Sequence, residues 1–281
     1  MSPRCDRYAV IGNPIAHSKS PRIHTLFARQ TRQELAYDAI LVDTGTFAQA
    51  VDEFRQSGGK GVNVTIPFKQ EAWELADSRS ASAELAGAIN TLSFYDNQCH
   101  GDNTDGAGLV RDLVYNLSIE LKDKKLLVLG AGGAVRGVLE PLLEQKPERI
   151  TVANRTSSKA RELAAHFASH GNIIGTGYDD LERRPFDVII NGTAASLQGN
   201  VPPVPEACVG RDTCLYDMMY RSDPTPFMLW GTRLGAGSCF DGLGMLVEQA
   251  AESFAIWRGV RPDTVPVIRQ LRSEMDGAAE Q

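Results

Sequence analysis

With 281 residues the chain exceeds the roughly 100 to 200 of one typical domain, so two domains are expected. Its 42% hydrophobic and 23% charged residues exclude a disordered or fibrous chain. A formal net charge of −6 excludes nucleic-acid binding through a broad cationic surface, while leaving room for a small local cluster that meets a phosphate. The apolar run Tyr8–Ile11 is too short for a signal segment, and no stretch approaches the ~18 apolar residues of a membrane span. No membrane partner is therefore expected, and a cytoplasmic protein is the default. The five cysteines form no CxxC pair, and His166 and His170, although four apart, have Phe167 where a metalloprotease helix carries its glutamate. No metal is expected.

In chain order, Arg7–Ile11, Leu35–Val42 and Gly61–Ile66 read as strands, and Pro21–Gln30 and Thr46–Ser57 as helices. Ser20 is placed to cap the first helix with Pro21 at its first turn. Phe47, Ala50, Val51 and Phe54 give the second helix one apolar stripe before Gly58. This βαβ alternation predicts a mostly parallel sheet covered by helices. A second α/β block starts near Gly106. The strand Lys124–Leu129 runs into GAGGAVRGVLEPLLE, in which Val135, Val138, Leu139 and Leu142 keep helical spacing. Further strands follow at Arg149–Ala153, Phe186–Ile190 and Thr213–Tyr216. Past Asp241 a helix carries Leu243, Leu246, Val247, Ala250, Phe254 and Trp257 on one stripe.

Strand, glycine turn and helix form the context of a dinucleotide-binding loop. Gly130, Gly132 and Gly133 let the backbone approach a pyrophosphate, and the amides opening the next helix meet its charge. The third fingerprint position is Val135 rather than Gly or Ala. An NAD site normally has an acid at the end of the following strand, whereas this chain has Asn154, Arg155 and Thr156, with Lys159 one turn on. A carboxylate would repel a 2′-phosphate; a guanidinium, a hydroxyl and an ammonium would receive it. The expected cofactor is NADP(H).

The first domain carries polar residues that packing does not require. GNPIAHSKSP places Ser18 and Ser20 before a helix N-terminus, NVTIPFK presents Thr65 and Lys69, AGAINT presents Asn90, and GDNTDGAG presents Asp102, Asn103, Thr104 and Asp105. Taken singly, each has a structural alternative as cap, turn residue or surface charge. The ordered set of these motifs with GAGGA, NRT, NGTAAS, DMMY and DGLGMLVEQA closely resembles the shikimate dehydrogenase family over essentially the whole chain.

That resemblance implies an α/β enzyme of two domains separated by a cleft, reducing 3-dehydroshikimate to shikimate with NADPH on the route to chorismate. It implies a three-layer α/β catalytic domain over residues 1–105, a Rossmann-type NADP-binding domain over 106–240, and C-terminal helices over 241–281 that return to the first domain. Matching positions imply that Lys69 and Asp105 form the catalytic pair, with Ser18, Ser20, Thr65, Asn90, Tyr220 and Gln249 around the substrate. They place Gly130, Ala131, Gly132, Gly133, Ala134, Asn154, Arg155, Thr156, Lys159, Met218 and Gly242 at the cofactor. Thr25 stands where the family usually has Asn, and Lys159 where Arg is frequent, which softens phosphate recognition because an ammonium lacks the bidentate fork. Gln249 lies off the apolar stripe of its helix and so can face ligand while the helix packs. Two readings stay beside this one. A quinate/shikimate paralogue using NAD is disfavoured by Arg155 and Thr156, and a silent metabolite-binding homologue by the presence of both Lys69 and Asp105. The expected partner is a small molecule, and the chain a monomer or homodimer.

Overall fold

The computed structural model describes residues 5–279. The chain divides into two compact units, Met1–Gly108 with Val247–Val267, and Leu109–Leu246 with Ile268–Gln281. Among the described residues no helix is long and apolar enough to cross a membrane.

Unit 1 contains β1 (Asp6–Gly12), α1 (Ser20–Thr31), β2 (Leu35–Leu41), α2 (Phe47–Gln56), β3 (Gly59–Val64), α3 (Lys69–Leu75), β4 (Ser78–Arg79), α4 (Ala81–Ala86), β5 (Thr91–Tyr95), β6 (Gln98–Asp102) and the start of α5 (Asp105–Arg111). Its strands form one sheet in the order β2-β1-β3-β5-β6-β4. The expected parallel pattern holds for β1 with β2 and β3, but β5 runs antiparallel to both β3 and β6. The second pairing follows from a two-residue turn between β5 and β6, where Asp96 and Asn97 adopt φ of 51° and 58°, the left-handed pair that closes a tight hairpin.

Alternation along β1 sends Tyr8 and Val10 to one face and Ala9 and Ile11 to the other, where Phe47, Val51, Phe54, Phe68 and Ala72 of the α2 and α3 region pack. The first face is covered by α1 and by the last turns of α9 (Leu243–Arg258), through Phe27, Phe254, and Trp257 stacked on Tyr8. Three layers result, as expected. Trp257 fits because β3 has glycine opposite it: a Cβ on Gly61 would stand 2.5 Å from the indole nitrogen, which donates to the Leu92 carbonyl at 3.2 Å. Strand β3 ends at Val64 rather than Ile66: the Thr65 N–H makes the last ladder bond, to the Ile11 carbonyl at 2.9 Å, and the Thr65 carbonyl turns to accept the Phe68 N–H at 3.0 Å.

Unit 2 contains a turn of π-helix at Asp112–Asn116, then β7 (Lys125–Leu129), α6 (Gly133–Glu144), β8 (Arg149–Ala153), α7 (Ser157–Phe167), β9 (Ile173–Thr176), β10 (Val188–Asn191), β11 (Cys214–Asp217), α8 (Pro226–Arg233) and β12 (Ser238–Asp241). The six strands are all parallel, in the order β12-β11-β10-β7-β8-β9. Counted within the unit this is 3-2-1-4-5-6 read from the other edge, the order of the dinucleotide-binding fold. The order reverses between β7 and β10, so a crevice belongs at the carboxyl ends of those strands. Sequence periodicity did not single out β9 or β12, which are only four residues each. The tail after Asp241 is shared between the units rather than carried whole by the first. Val247–Val267 belongs to unit 1, whereas the remainder of α10 (Val265–Ala279), from Ile268 onward, belongs to unit 2. There Arg272 pairs with Asp241 at 2.5 Å.

Candidate active site

In unit 1 the turn after β3 delivers a lysine. Phe68 is fully buried and stacked on Phe47 with ring centroids 5.1 Å apart, and its N–H closes the turn on the Thr65 carbonyl at 3.0 Å. Lys69 then opens α3, and its carbonyl accepts from the Ile89 N–H at 2.9 Å, so its backbone is held from both sides. The Lys69 ammonium donates to Asp105 Oδ2.

Asp105 comes from the segment after β6, where each residue of the run has a separate task. Asp102 Oδ1 accepts from Ser80 Oγ at 2.8 Å, Asn103 Nδ2 donates to the Ala88 carbonyl at 2.9 Å, and Asn103 Oδ1 accepts the Asp105 N–H at 3.1 Å. Asn90 joins this segment to the Lys69–Asp105 pair. Its Oδ1 accepts the Thr104 backbone N–H at 2.9 Å, a group that can only donate, which settles which way the amide points. The Asn90 NH₂ therefore faces Asp105 Oδ1 at 2.8 Å and Gln249 Oε1 at 3.3 Å. Asp105 is thus gripped on one oxygen by Asn90 and on the other by Lys69.

Behind Asn90 lies a buried polar layer that the sequence reading did not identify. Asn63 Nδ2 donates to Ser253 Oγ at 2.9 Å, Thr91 Oγ1 at 3.1 Å and the Asn90 carbonyl at 3.2 Å, while its Oδ1 accepts from Tyr37 OH at 2.7 Å. Burial holds the Tyr37 phenol well above its usual pKa, with the Ser20 hydroxyl opposing. Thr104 Oγ1 donates to the Gln249 carbonyl at 3.0 Å, which ties α9 to the same layer. The helix can come this close because α5 has Gly108 there, where a Cβ would stand 2.7 Å from the Gln249 backbone.

Lys69, Asn90, Asp105 and Gln249 are thus brought together by direct bonds. Among the described residues Ser18, Ser20 and Thr65 make no hydrogen bond to that group. They lie on adjoining loops, since Asn13 N–H donates to the Ile66 carbonyl at 3.0 Å and the Thr65 methyl covers Gly12. The expected cap role shifts by one position. Ser20 is itself helical, Lys19 occupies the N-cap without a side-chain bond, and the Ser18 hydroxyl accepts the Ser20 N–H at 3.3 Å.

In unit 2 the glycine loop leaves β7 at the strand-order reversal. Gly130 has φ +107°, and a Cβ there would meet Thr193 Cγ2 at 3.2 Å and Val135 Cγ2 at 3.3 Å. A Cβ on Gly132 or Gly133 would meet nothing within 4 Å, so the face of the loop is open, with Ala131 and Ala134 half-exposed beside it. Val135, the departure from the fingerprint, is fully buried over Gly192, whose missing side chain admits it: a Cβ on Gly192 would stand 2.5 Å from Val135 Cγ2 and 3.1 Å from Met218 Sδ. The small residue needed for close helix-to-strand packing therefore sits on the neighbouring loop.

At the end of β8, Asn154 Nδ2 donates to the Thr156 carbonyl at 3.0 Å, and Thr156 is the N-cap of α7 with no side-chain cap bond. Arg155, Thr156 and Lys159 are exposed, and the first turn of α7 holds no acid. Neither cation forms an ion pair among the described residues. An open glycine cradle with two unpaired cations at the next strand's end fits a dinucleotide carrying an extra phosphate. Buried Asp217 organises the other wall: it accepts from Asn191 Nδ2 at 3.0 Å and Ser196 Oγ at 2.5 Å, and burial pushes its carboxyl upward. Met218 and Gly242 are stacked on that wall, and Tyr220 follows them in the same unit, its phenol raised by burial and by Asp241.

Fold and site define the class: a dinucleotide-binding α/β protein with a separate unit bearing a directly bonded lysine–aspartate pair. Three family models match, described as Shikimate dehydrogenase substrate binding domain over residues 10–92, Shikimate / quinate 5-dehydrogenase over 112–198, and Shikimate 5′-dehydrogenase C-terminal domain over 242–272. A shikimate dehydrogenase (NADP(+)) of Hahella chejuensis is 55% identical over 95% of this chain and 98% of its own. Two solved structures are similar along their length. An Ael1 enzyme from Pseudomonas putida is 47% identical with a TM-score of 0.89, over 95% of this chain and 98% of its own. A shikimate 5-dehydrogenase from Thermus thermophilus, in complex with NADP(H) and shikimate, is 30% identical with a TM-score of 0.84, over 95% of this chain and 99% of its own. The chain belongs to the shikimate dehydrogenase family.

Proposed function

We propose that this chain catalyses the reversible NADPH-dependent reduction of 3-dehydroshikimate to shikimate. Unit 1 supplies the substrate and proton-transfer groups and unit 2 the cofactor groups. The observation that carries the reading is the Lys69–Asp105–Asn90 constellation, an ammonium held by a carboxylate that is itself fixed by an amide of known orientation.

The hydride to the ketone carbon would come from NADPH when it is bound. The oxygen left behind gains negative charge, and Lys69 stabilises it and donates the proton. In the reverse direction neutral Lys69 takes that proton back. Asp105 orients the ammonium through Oδ2 and, being held at Oδ1 by Asn90, presents a fixed acceptor to a substrate hydroxyl. Ser18 and Ser20 at the start of α1, with Thr65, receive the substrate carboxylate, and Gln249 and Asn90 its hydroxyls; Tyr220 is the member of the substrate set carried by unit 2. Gly130–Ala134 cradle the pyrophosphate, while Asn154, Arg155, Thr156 and Lys159 hold the phosphorylated ribose. Met218 and Gly242 would receive the nicotinamide end.

The test is turnover followed by absorbance of the reduced nicotinamide, comparing shikimate with quinate and NADP⁺ with NAD⁺. Shikimate with NADP⁺ should give the highest kcat/KM. Faster oxidation of quinate, or equal use of NAD⁺, would replace this reading with a quinate-oxidising or NAD-dependent one.

A further inference from the structure

Arg272 lies on α10, outside every motif that pointed to the site. Its guanidinium spans two loops: Nη2 donates to Asp241 Oδ1 at 2.5 Å, and Nη1 donates to the Arg221 carbonyl at 3.1 Å. Those loops follow β11 and β12, and each rests on the other. The Gly242 N–H donates to the Met219 carbonyl at 3.0 Å, and a Cβ on Gly242 would stand 2.3 Å from the Met218 carbonyl oxygen. Met218 is tied back to the sheet by its N–H on the Asn191 carbonyl at 2.9 Å. Asp241 has a second task, since the same oxygen accepts the Leu243 N–H at 3.2 Å and so sets the first turn of α9.

We infer that Arg272 is a positioning residue for cofactor binding, clamping the Met218–Arg221 and Asp241–Gly242 loops in the arrangement that receives the nicotinamide nucleoside. This rests on the cofactor assignment proposed above. In the dinucleotide-binding fold the glycine loop and the ribose-binding strand end serve one nucleotide, and the second half of the sheet, here β10 to β12, serves the other.

An exposed ion pair ordinarily contributes little. This one differs because its partner is enclosed: the Asp241 side chain is 7% exposed, against 37% for Arg272. Removing the guanidinium leaves a nearly buried carboxylate with a single backbone N–H as donor among the described residues, beside Tyr220 and at the base of the Gly242 turn. It also frees the Arg221 carbonyl, so both loops lose their common anchor and open at lower cost.

The competing explanation is loss of one positive charge near an anionic ligand. Arg269, on the same helix, exposed and in no ion pair among the described residues, separates the two. The experiment measures the NADP⁺ dissociation constant by calorimetry, KM and kcat in shikimate oxidation, and the thermal midpoint, for wild type, Arg272→Ala, Arg272→Lys and Arg269→Ala. Arg272→Ala should raise the NADP⁺ Kd and KM about 3- to 30-fold with a smaller change in kcat. Arg272→Lys should recover part of this, because an ammonium can pair with Asp241 but cannot fork to the second loop. Arg269→Ala should bind like wild type. Kd and KM within about twofold of wild type in Arg272→Ala, an equal effect of Arg269→Ala, or a loss confined to the thermal midpoint would overturn the inference. A wild-type protein that binds NADP⁺ without oxidising shikimate would defeat the proposed function instead, and the calorimetric comparison would still decide the role of Arg272.

Discussion

The two units meet ligands in opposite ways. In unit 1 the chemistry-bearing groups are enclosed and mutually bonded: Asn90, Thr104 and Ser253 are 3%, 2% and 0% exposed, and Asp105 has a partner on each oxygen. In unit 2 the corresponding groups are open: Gly132, Gly133, Arg155, Thr156 and Lys159 are all exposed, and among the described residues the two cations have no carboxylate partner. The difference matches the tasks proposed for the two sets of residues. Proton transfer requires a donor fixed before the reaction begins, so that little reorganisation is needed as charge develops. Phosphate binding requires donors not already satisfied, because each internal partner would have to be given up to the ligand.

The largest expected effect tests the enclosed side. Lys69→Ala should lower kcat by about 10²- to 10⁴-fold in either direction of the reaction, the usual range for a positioned acid. NADP⁺ affinity should stay near wild type, because every group assigned to the cofactor lies in unit 2. A nearly active Lys69→Ala enzyme would remove the basis for treating unit 1 as the proton-transfer side. On the open side Arg155→Ala should weaken NADP⁺ binding about 10- to 150-fold, from about 1.5 to 3 kcal/mol for one charge-assisted contact, and leave NAD⁺ binding almost unchanged. Equal losses for both nucleotides would show that Arg155 does not read the extra phosphate.

Acidification should also divide the units, with opposite signs. His24 is buried on the Tyr37 ring at 4.1 Å, and burial lowers its pKa to about 3 from an ordinary value near 6.5. Its neutral form is stabilised by folding, so its contribution is present above pH ~6.5 and is lost as pH falls toward 3, about 2 kcal/mol by pH 5. Asp217 in unit 2 has its carboxyl raised by burial, so folding favours its protonated form and its contribution declines as pH rises through the folded pKa. Hydrogen exchange at pH 7 and pH 5 should show protection falling in unit 1 more than in unit 2, with the difference reduced in His24→Phe. Equal loss in both units would mean that His24 does not set the acid limit of unit 1.

How much of this was legible in the sequence follows the same division. The open side can be read almost directly, since a glycine turn between strand and helix and an NRT in place of an acid are local patterns. The packing of Val135 escaped, because its compensation, Gly192, lies in another loop. On the enclosed side Lys69, Asn90, Asp105 and Gln249 came from motifs, but the layer that orients them did not. Asn63, Ser253 and Tyr37 come from β3, α9 and β2, and nothing local marks a strand asparagine or a helical serine as a partner of the other. The β5–β6 hairpin did leave a signal, the two-residue Asp96–Asn97 turn between the segments, and it accounts for the antiparallel pairing of those two strands.

The smallest effect is the sharpest probe of the open side. Lys159 stands exposed one turn after Arg155, and α7 has no acid in its first turn to compete for either charge. An ammonium meets a phosphate as a point charge, whereas a guanidinium adds a planar fork matched to two oxygens. Lys159→Arg should therefore tighten NADP⁺ about 2- to 5-fold, leave NAD⁺ unchanged and leave the thermal midpoint where it is, because the position is exposed. If the surface were pre-bonded like that of unit 1, the longer and differently shaped head group would disturb its partners and weaken binding. A gain specific to the phosphorylated cofactor is expected only where the receiving groups are free, so calorimetry on this one variant distinguishes an open phosphate site from a closed one.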